Sequence, residues 1–396
     1  MAETVAVAAP RPPLWRNLRF RRVVGQVVFA LAVVVVGREL FLNLEFNSAA
    51  RRQDLGFGFV DSQAGFEIAD SPIDYRSTNP VSRAFQVGIV NTLRVSILGI
   101  VLTSILGLVI GVARLSPNWM VRKLAQVYVE VIRNTPVPLQ VVFWWAAVFL
   151  AIPSIQNRLS LFDVVFLSNR GLDVLGLRLE SGASAWGLSL LLGAVAGVVV
   201  WRWRTRLNER TGRPHHRVLW LLGVFLAVGV VGYLATGTPT RSSVPEIAES
   251  GFSLEGGIHF STEFAALLIA LVVYTAAFIA EIIRGSIQAV PKGQREAAES
   301  LGLSRFQQLR FVILPQALRV AIPAINSQYL NLLKNSSLGI LIGFYELLRV
   351  SRSIISGRGH ETQVLLVAMA SFLVMCLAIS FVMNLINRAV TIRGTR

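Results

Sequence analysis

Three groupings of polar residues stand out in a chain that is otherwise apolar. The first reads Gln294-Arg295-Glu296-Ala297-Ala298-Glu299-Ser300-Leu301-Gly302-Leu303-Ser304-Arg305 and runs on to Leu314-Pro315. Pro291 can open a helical piece, Gly302 supplies permissive backbone at a bend, Ser304 can cap a second piece, and Pro315 marks the return to a long apolar helix. A short hinged helix pair with a small apolar side suits insertion into a partner's groove, which is contact chemistry rather than catalysis. The second grouping, Gln328, Asn331, Lys334, Asn335, Ser336 and Ser337, interrupts an apolar run. A lysine among amides and hydroxyls can hold the carboxylate and the ammonium of a zwitterion, and the same groups can also bond from helix to helix. In the third, Glu130 with Arg133 and Glu281 with Arg284 stand three residues apart. That is the spacing of intrahelical ion pairs that are structural or line a gate.

Other chemistry is not expected. No nucleophile, base and orienting group stand together, His215 and His216 are neighbours and so point to different faces, and Cys376 is the single cysteine. Catalytic, metal-binding and disulfide-scaffold readings fall together. No GxxxxGK[ST] phosphate loop occurs, so the chain itself should carry no cofactor and hydrolyse no ATP.

The elements that position these residues are membrane helices. Of 396 residues, 54% are hydrophobic and 15% charged. Soluble proteins are richer in charge, at about 25%. The mean hydropathy is +0.59. Apolar runs at 23–44, 85–113, 127–152, 186–201, 218–234, 264–283, 320–344 and 364–386 approach or exceed the roughly 20 residues that cross a hydrocarbon core, giving an all-α polytopic chain of about eight spans. The first run is longer than a signal-peptide core and lacks a small-residue cleavage site, so it reads as a retained anchor. With the N-terminus inside, Lys and Arg outnumber Asp and Glu several-fold in the inner segments, whereas acids outnumber bases outside; both termini are then cytoplasmic. The net charge of +16 is therefore a membrane signature. Clusters Arg11, Arg16, Arg19, Arg21, Arg22 and Arg202, Arg204, Arg206, Arg210, Arg213, Arg217 anchor spans beside anionic lipid headgroups, and no aromatic-interleaved surface accompanies them to bind nucleic acid. Arg38 and Glu39, in the first run, can snorkel outward. The GxxxG spacings Gly107/Gly111 and Gly193/Gly197 let helices approach closely, within the chain or across a dimer.

The first grouping resembles the cytoplasmic signature of ABC importer permeases: EAA, three residues, Gly, nine residues, Ile, one residue, Leu-Pro. Glu296, Ala297, Ala298, Gly302, Leu314 and Pro315 match it, and Val312 replaces the usual isoleucine. YVEVIRNTPVPLQ at 128–140, AEIIRGSIQAVP at 280–291 and LNLLKNSSL at 330–338 resemble the polar amino-acid permeases of the histidine, glutamate, glutamine, arginine and opine group. GFEIADSPIDY at 65–75 and the extra spans resemble the general L-amino-acid permease branch. Where Asn335 stands, related permeases often carry an acid.

The resemblance implies a type I importer permease in a bacterial inner membrane. Its partners would be an ABC ATPase dimer holding ATP and Mg, docked through Glu296; a second, homologous permease subunit, making a heterodimer in preference to a homodimer; an extracytoplasmic amino-acid-binding protein; and an L-amino-acid substrate. The expected divisions are a basic N-terminus at 1–22; three spans at 23–152 with an outer loop at 45–83; an inserted region with two extra helices at 153–262; and a permease core at 263–396 with its cytoplasmic loop at 285–317. The rival reading is a gradient-coupled secondary transporter or channel, against which stand the docking signature and the lack of internal repeats. The charge asymmetry makes a direct prediction. In a Cys376→Ala background, single cysteines at Ser62 and Ser243 should react with an impermeant thiol reagent added outside and one at Ser304 should not; labelling of Ser62 and Ser304 from the same side would refute the topology.

Overall fold

The computed structural model describes residues 18–50, 56–211, 216–247 and 254–390. Arg11, Arg16, Arg213 and His215 lie outside them, as do the side chain of Arg19 and most of the N-terminal division. The helices are α1 (Leu18–Ala50), α2 (Val81–Ala113), α3 (Trp119–Arg133), α4 (Val137–Phe143), α5 (Ala183–Thr211), α6 (Arg217–Ala235), α7 (Thr262–Gln288), α8 (Lys292–Ser300), α9 (Arg305–Gln307), α10 (Leu314–Asn335), α11 (Leu347–Arg358) and α12 (Glu361–Val390). A π-helical turn at Trp144–Phe149 extends α4, another at Gln308–Ile313 joins α9 to α10, and a 3-10 segment at Ser336–Ile342 extends α10.

Among the described residues, seven stretches are long and apolar enough to cross a membrane, one fewer than the sequence suggests. The difference is the run at 127–152. Pro136 and Pro138 bring no N–H to a helical ladder, and the chain breaks between α3 and α4. Gln140, buried at the break, donates through Nε2 to the carbonyls of Ile132 at 3.0 Å and Thr135 at 3.1 Å. The interrupted helix leaves those carbonyls open. The apolar remainder, Val137–Phe149, is too short to cross alone. The two pieces nonetheless run the length of α7 in tandem: Val129 packs with Ala277 and Ala280, Tyr128 donates to the Val273 carbonyl at 2.7 Å, and Val141 and Phe149 pack with Phe264 and Leu267. Two short helices together thus cover the face of α7 that a single long helix would.

Short antiparallel strands, which the apolar patterning does not announce, occupy the segments on either side of α5 and α6. They are β1 (Leu159–Leu161), β2 (Val165–Ser168), β3 (Gly171–Val174), β4 (Gly176–Leu179), β5 (Thr240–Ser243), β6 (Glu246–Ile247), β7 (Leu254–Glu255) and β8 (Ile258–Ser261). The largest sheet has the order β1-β2-β3-β8, and β8 leads straight into α7. His259 Nδ1 donates to buried Asp173 at 2.7 Å. That hydrogen bond, working against desolvation, raises the imidazole pKa above its usual value. The molecule thus has a strand face and, where α8 and α9 lie, a loop face.

The centre is the pair α2 and α7. A Cβ on Gly107 would stand 2.6 Å from Ile279 Cγ2, and one on Gly111 would meet the Ala280 carbonyl at 3.0 Å. This GxxxG seam is therefore spent inside the chain. Gly193 and Gly197 likewise face Val228 and Leu221, and α5 and α6 pack principally on each other. The segment at 59–75, α11 and α12 close over the strand-face half of α2 through Phe59, Ile68, Phe85, Val350, Ile354 and Val364. Gly107→Val should therefore overpack the seam by about 1–3 kcal/mol, lowering the unfolding temperature of the purified protein. Gly37→Ala, with open space around its Cβ, should not. Equal melting of the two variants would refute the close approach.

Candidate functional site

At the loop face, Pro291 caps α8 and the chain turns back at Gly302. Gly302 has a φ of 71°. Side chains resist that left-handed region. Ser304 then opens α9 with a reciprocal capping box. Its Oγ accepts from the Gln307 N–H at 3.4 Å, while Gln307 Oε1 accepts from the Ser304 N–H at 2.8 Å. Ala298 faces inward and is buried, whereas Glu296 and Ala297 lie toward the surface. Arg295 ties the pair to α7 by donating to the Ile287 carbonyl at 2.9 Å, and Gln316 ties it to α10 by donating to Gln294 Oε1 at 3.1 Å. The tip is apolar: Leu301 is 79% and Phe306 67% exposed. Sequence reasoning attended to Glu296 and missed these two, although large apolar residues flanking a glycine in a polar loop are a readable signal of a docking surface. Leu314 and Pro315 lie apart from the tip, beyond the π-helical turn, where they form the first turn of α10.

From there one helical stretch, Arg305–Ile342, leads toward the strand face. Along α10, Val320, Pro323, Ser327, Asn331 and Lys334 are exposed at steps of three and four residues, a single stripe. Lys334 has no ion-pair partner among the described residues. Gln328 and Asn335 border the stripe, half-buried, with Ser337 beyond them. Ser336 does not belong to it: wholly buried, its Oγ donates to the Leu333 carbonyl at 2.6 Å. The change to 3-10 winding turns this position inward.

The two expected ion pairs part company. Arg284 donates to Glu281 at 3.2 Å through Nε, and Arg114, from the end of α2, reaches the same carboxylate. Glu130 instead accepts from Gln126 at 2.6 Å, while Arg133 lies 4.9 Å from the ring centroid of Phe278 on α7. That cation–π contact takes Arg133 from Glu130. Arg38 pairs with Glu39 at 3.1 Å on exposed α1. At the strand face, Arg94 joins Asp70 at 3.1 Å and stacks 4.9 Å over Phe264; Ser261 donates to Asp70 at 2.8 Å; and buried Asn91 donates to the carbonyls of Asp70 at 2.8 Å and Tyr345 at 3.0 Å. An arginine inside the apolar run at 85–113 was the available signal, since such a charge needs a partner.

A bundle of apolar spans, a polar stripe along one of them and a hinged helix pair offered off one face together describe a polytopic membrane protein with a contact surface at its loop face. Residues 218–392 match the family described as "Binding-protein-dependent transport system inner membrane component". The chain is 42% identical over 370 residues, 93% of each chain, to the putative amino-acid ABC transporter permease protein YhdX of Escherichia coli (strain K12). It is 38% identical, over 93% of this chain and 92% of the relative, to the general L-amino acid transport system permease protein AapQ of Rhizobium johnstonii. A crystal structure of an amino acid ABC transporter with histidines aligns with 78% of this chain and 94% of that one, at 22% identity and a TM-score of 0.46. The chain belongs to the family of amino-acid ABC transporter permeases. It is a multi-pass bacterial inner-membrane protein and not itself an enzyme, its family working with an ATPase and a binding protein, and the gradient-coupled alternative is set aside.

Gly302→Val would force a β-branched side chain into left-handed backbone, at a cost of about 1–2 kcal/mol. The turn that presents the tip would be disturbed. ATPase copurification should fall while the protein stays in the membrane; undiminished copurification would show that the bend is not needed for contact.

Proposed function

We propose that this chain forms one half of the pathway of an ATP-driven importer of L-amino acids, with the loop face cytoplasmic and both termini inside. The single observation that carries the reading is the unpaired polar stripe on α10, continuous through one helical stretch with the hinged loop. A bare lysine at membrane depth is costly unless water or a ligand reaches it, and in a subunit that meets a partner across a central cavity this stripe would face that cavity. Asn331 and Lys334, with Gln328, Asn335 and Ser337 at the margin, offer a cation and amides to a zwitterion. The amino-acid class is supported by the kinship to permeases whose names state it.

A second, homologous permease subunit would supply the opposite wall, an extracytoplasmic binding protein would deliver substrate at the strand face, and a dimeric ATPase would hold ATP and Mg below the loop face. Glu296 would meet a basic group on that ATPase, with Leu301 and Phe306 as apolar anchors. Closure of the ATPase pair would move α8 and α9 and, through the continuous helix, tilt the stripe from inward- to outward-facing. The Glu281 cluster with Arg114 and Arg284 braces the ends of α2 and α7 against that movement, and Arg133 holds α3 to α7.

Two substitutions test this. Lys334→Met removes the cation without stranding an acid, so protein level should hold while uptake falls about tenfold or more, the loss expected for a charge-assisted contact. Normal uptake would defeat the assignment. Glu296→Lys should leave the permease in the membrane but reduce ATPase copurification and uptake together, and normal uptake in that variant would remove the docking role.

A further inference from the structure

Between the hinged loop and the span ends lies an open groove of about 910 Å³. Its walls differ in character from one contributing element to the next. One side is formed by Val109 and Val112 in the last turns of α2, 58% and 53% exposed, with Val121. The other carries Arg295, Arg305 and Glu299 from α8 and α9, with Ile287 beside Arg295 and Ile313 nearby. The Arg295 guanidinium donates to the Ile287 carbonyl, which holds it at this position on the groove.

Val109 and Val112 belong to a membrane-crossing helix, so an occupant there must offer hydrocarbon. The charged side carries one more positive than negative charge, so the same occupant gains by offering an anion. A soluble peptide or free phosphate meets one condition but not both. We propose that an anionic phospholipid occupies this groove, its acyl chains along Val109 and Val112 and its phosphate between Arg295 and Arg305. Resting on the reading of α8 and α9 as the ATPase dock, the lipid would fasten the dock to the ends of α2 and α7, making the coupling movement sensitive to the anionic content of the inner leaflet.

The test uses the whole purified complex in nanodiscs carrying either phosphatidylglycerol or phosphatidylcholine with a photoreactive group on the acyl chain, and maps the cross-links by mass spectrometry. Phosphatidylglycerol cross-links should concentrate in residues 109–121 and 287–313 and exceed those of phosphatidylcholine. Arg295→Gln and Arg305→Gln should each reduce them about fivefold, from the attraction of one basic group for an anionic surface. Val112→Trp, which fills the apolar side and leaves both arginines in place, should reduce them too. Equal labelling by the two lipids in the unaltered complex, or labelling indifferent to Val112→Trp, would overturn the site. ATPase copurification is scored on the same samples: its loss with phosphatidylglycerol labelling retained would count against the docking role while supporting the lipid site.

Discussion

The close contact of α2 and α7 is the constraint on which the other elements depend. Inside a bilayer no hydrophobic force drives one apolar helix onto another, so association rests on dispersion and on polar contacts at the ends. Gly107 and Gly111 bring the two backbones near enough for the first. Charge supplies the second at both faces: Arg114 and Arg284 converge on Glu281 at the loop face, while Arg94, Asp70, Asn91 and Ser261 lock together at the strand face. Glu281 is met by Arg114 from α2 as well as by Arg284 on its own helix, Asp70 is met from α2 and β8, and Asn91 reaches Tyr345 just before α11. These contacts tie the segment before α2, the strands and the approach to α11 to the same pair.

The parts that the proposed transport cycle would move are recognisable by what they lack. Among the described residues, the stripe on α10 has polar groups without partners, the tip of the hinged loop exposes Leu301 and Phe306, and α5 with α6 packs principally on itself. One π-helical turn, Gln308–Ile313, joins the hinged loop to α10, and a second, Trp144–Phe149, extends α4 beside α7. Such turns leave backbone groups poorly engaged and are common at functional positions.

What the sequence makes legible follows from how local the cause is. The hinged loop reads directly, because Pro291, Gly302 and Ser304 act within a few residues of themselves. The interruption at Pro136 is hidden from a count of apolar residues, since prolines remove a donor without lowering hydropathy much. Spacing alone offered Glu130 to Arg133, but Phe278 stands across the helix interface and takes the guanidinium, a choice that only tertiary packing makes. Ser336 belonged to the polar run by sequence and was turned into the core by a change of helical winding. The link from Arg94 to Asp70 spans 24 positions, too far for periodicity to register, and the strands are too short to announce themselves by alternation.

The central claim is that the α10 stripe lines a pathway whose access changes sides with the state of the ATPase. A single cysteine at Asn331 in a Cys376→Ala background, with the complex reconstituted in sealed vesicles, tests it most directly. Reactivity toward an impermeant thiol reagent should come from the loop-face side without nucleotide and shift to the strand-face side when ATP is bound and hydrolysis is blocked. Reactivity from one side in both states, or none in either, would contradict the account.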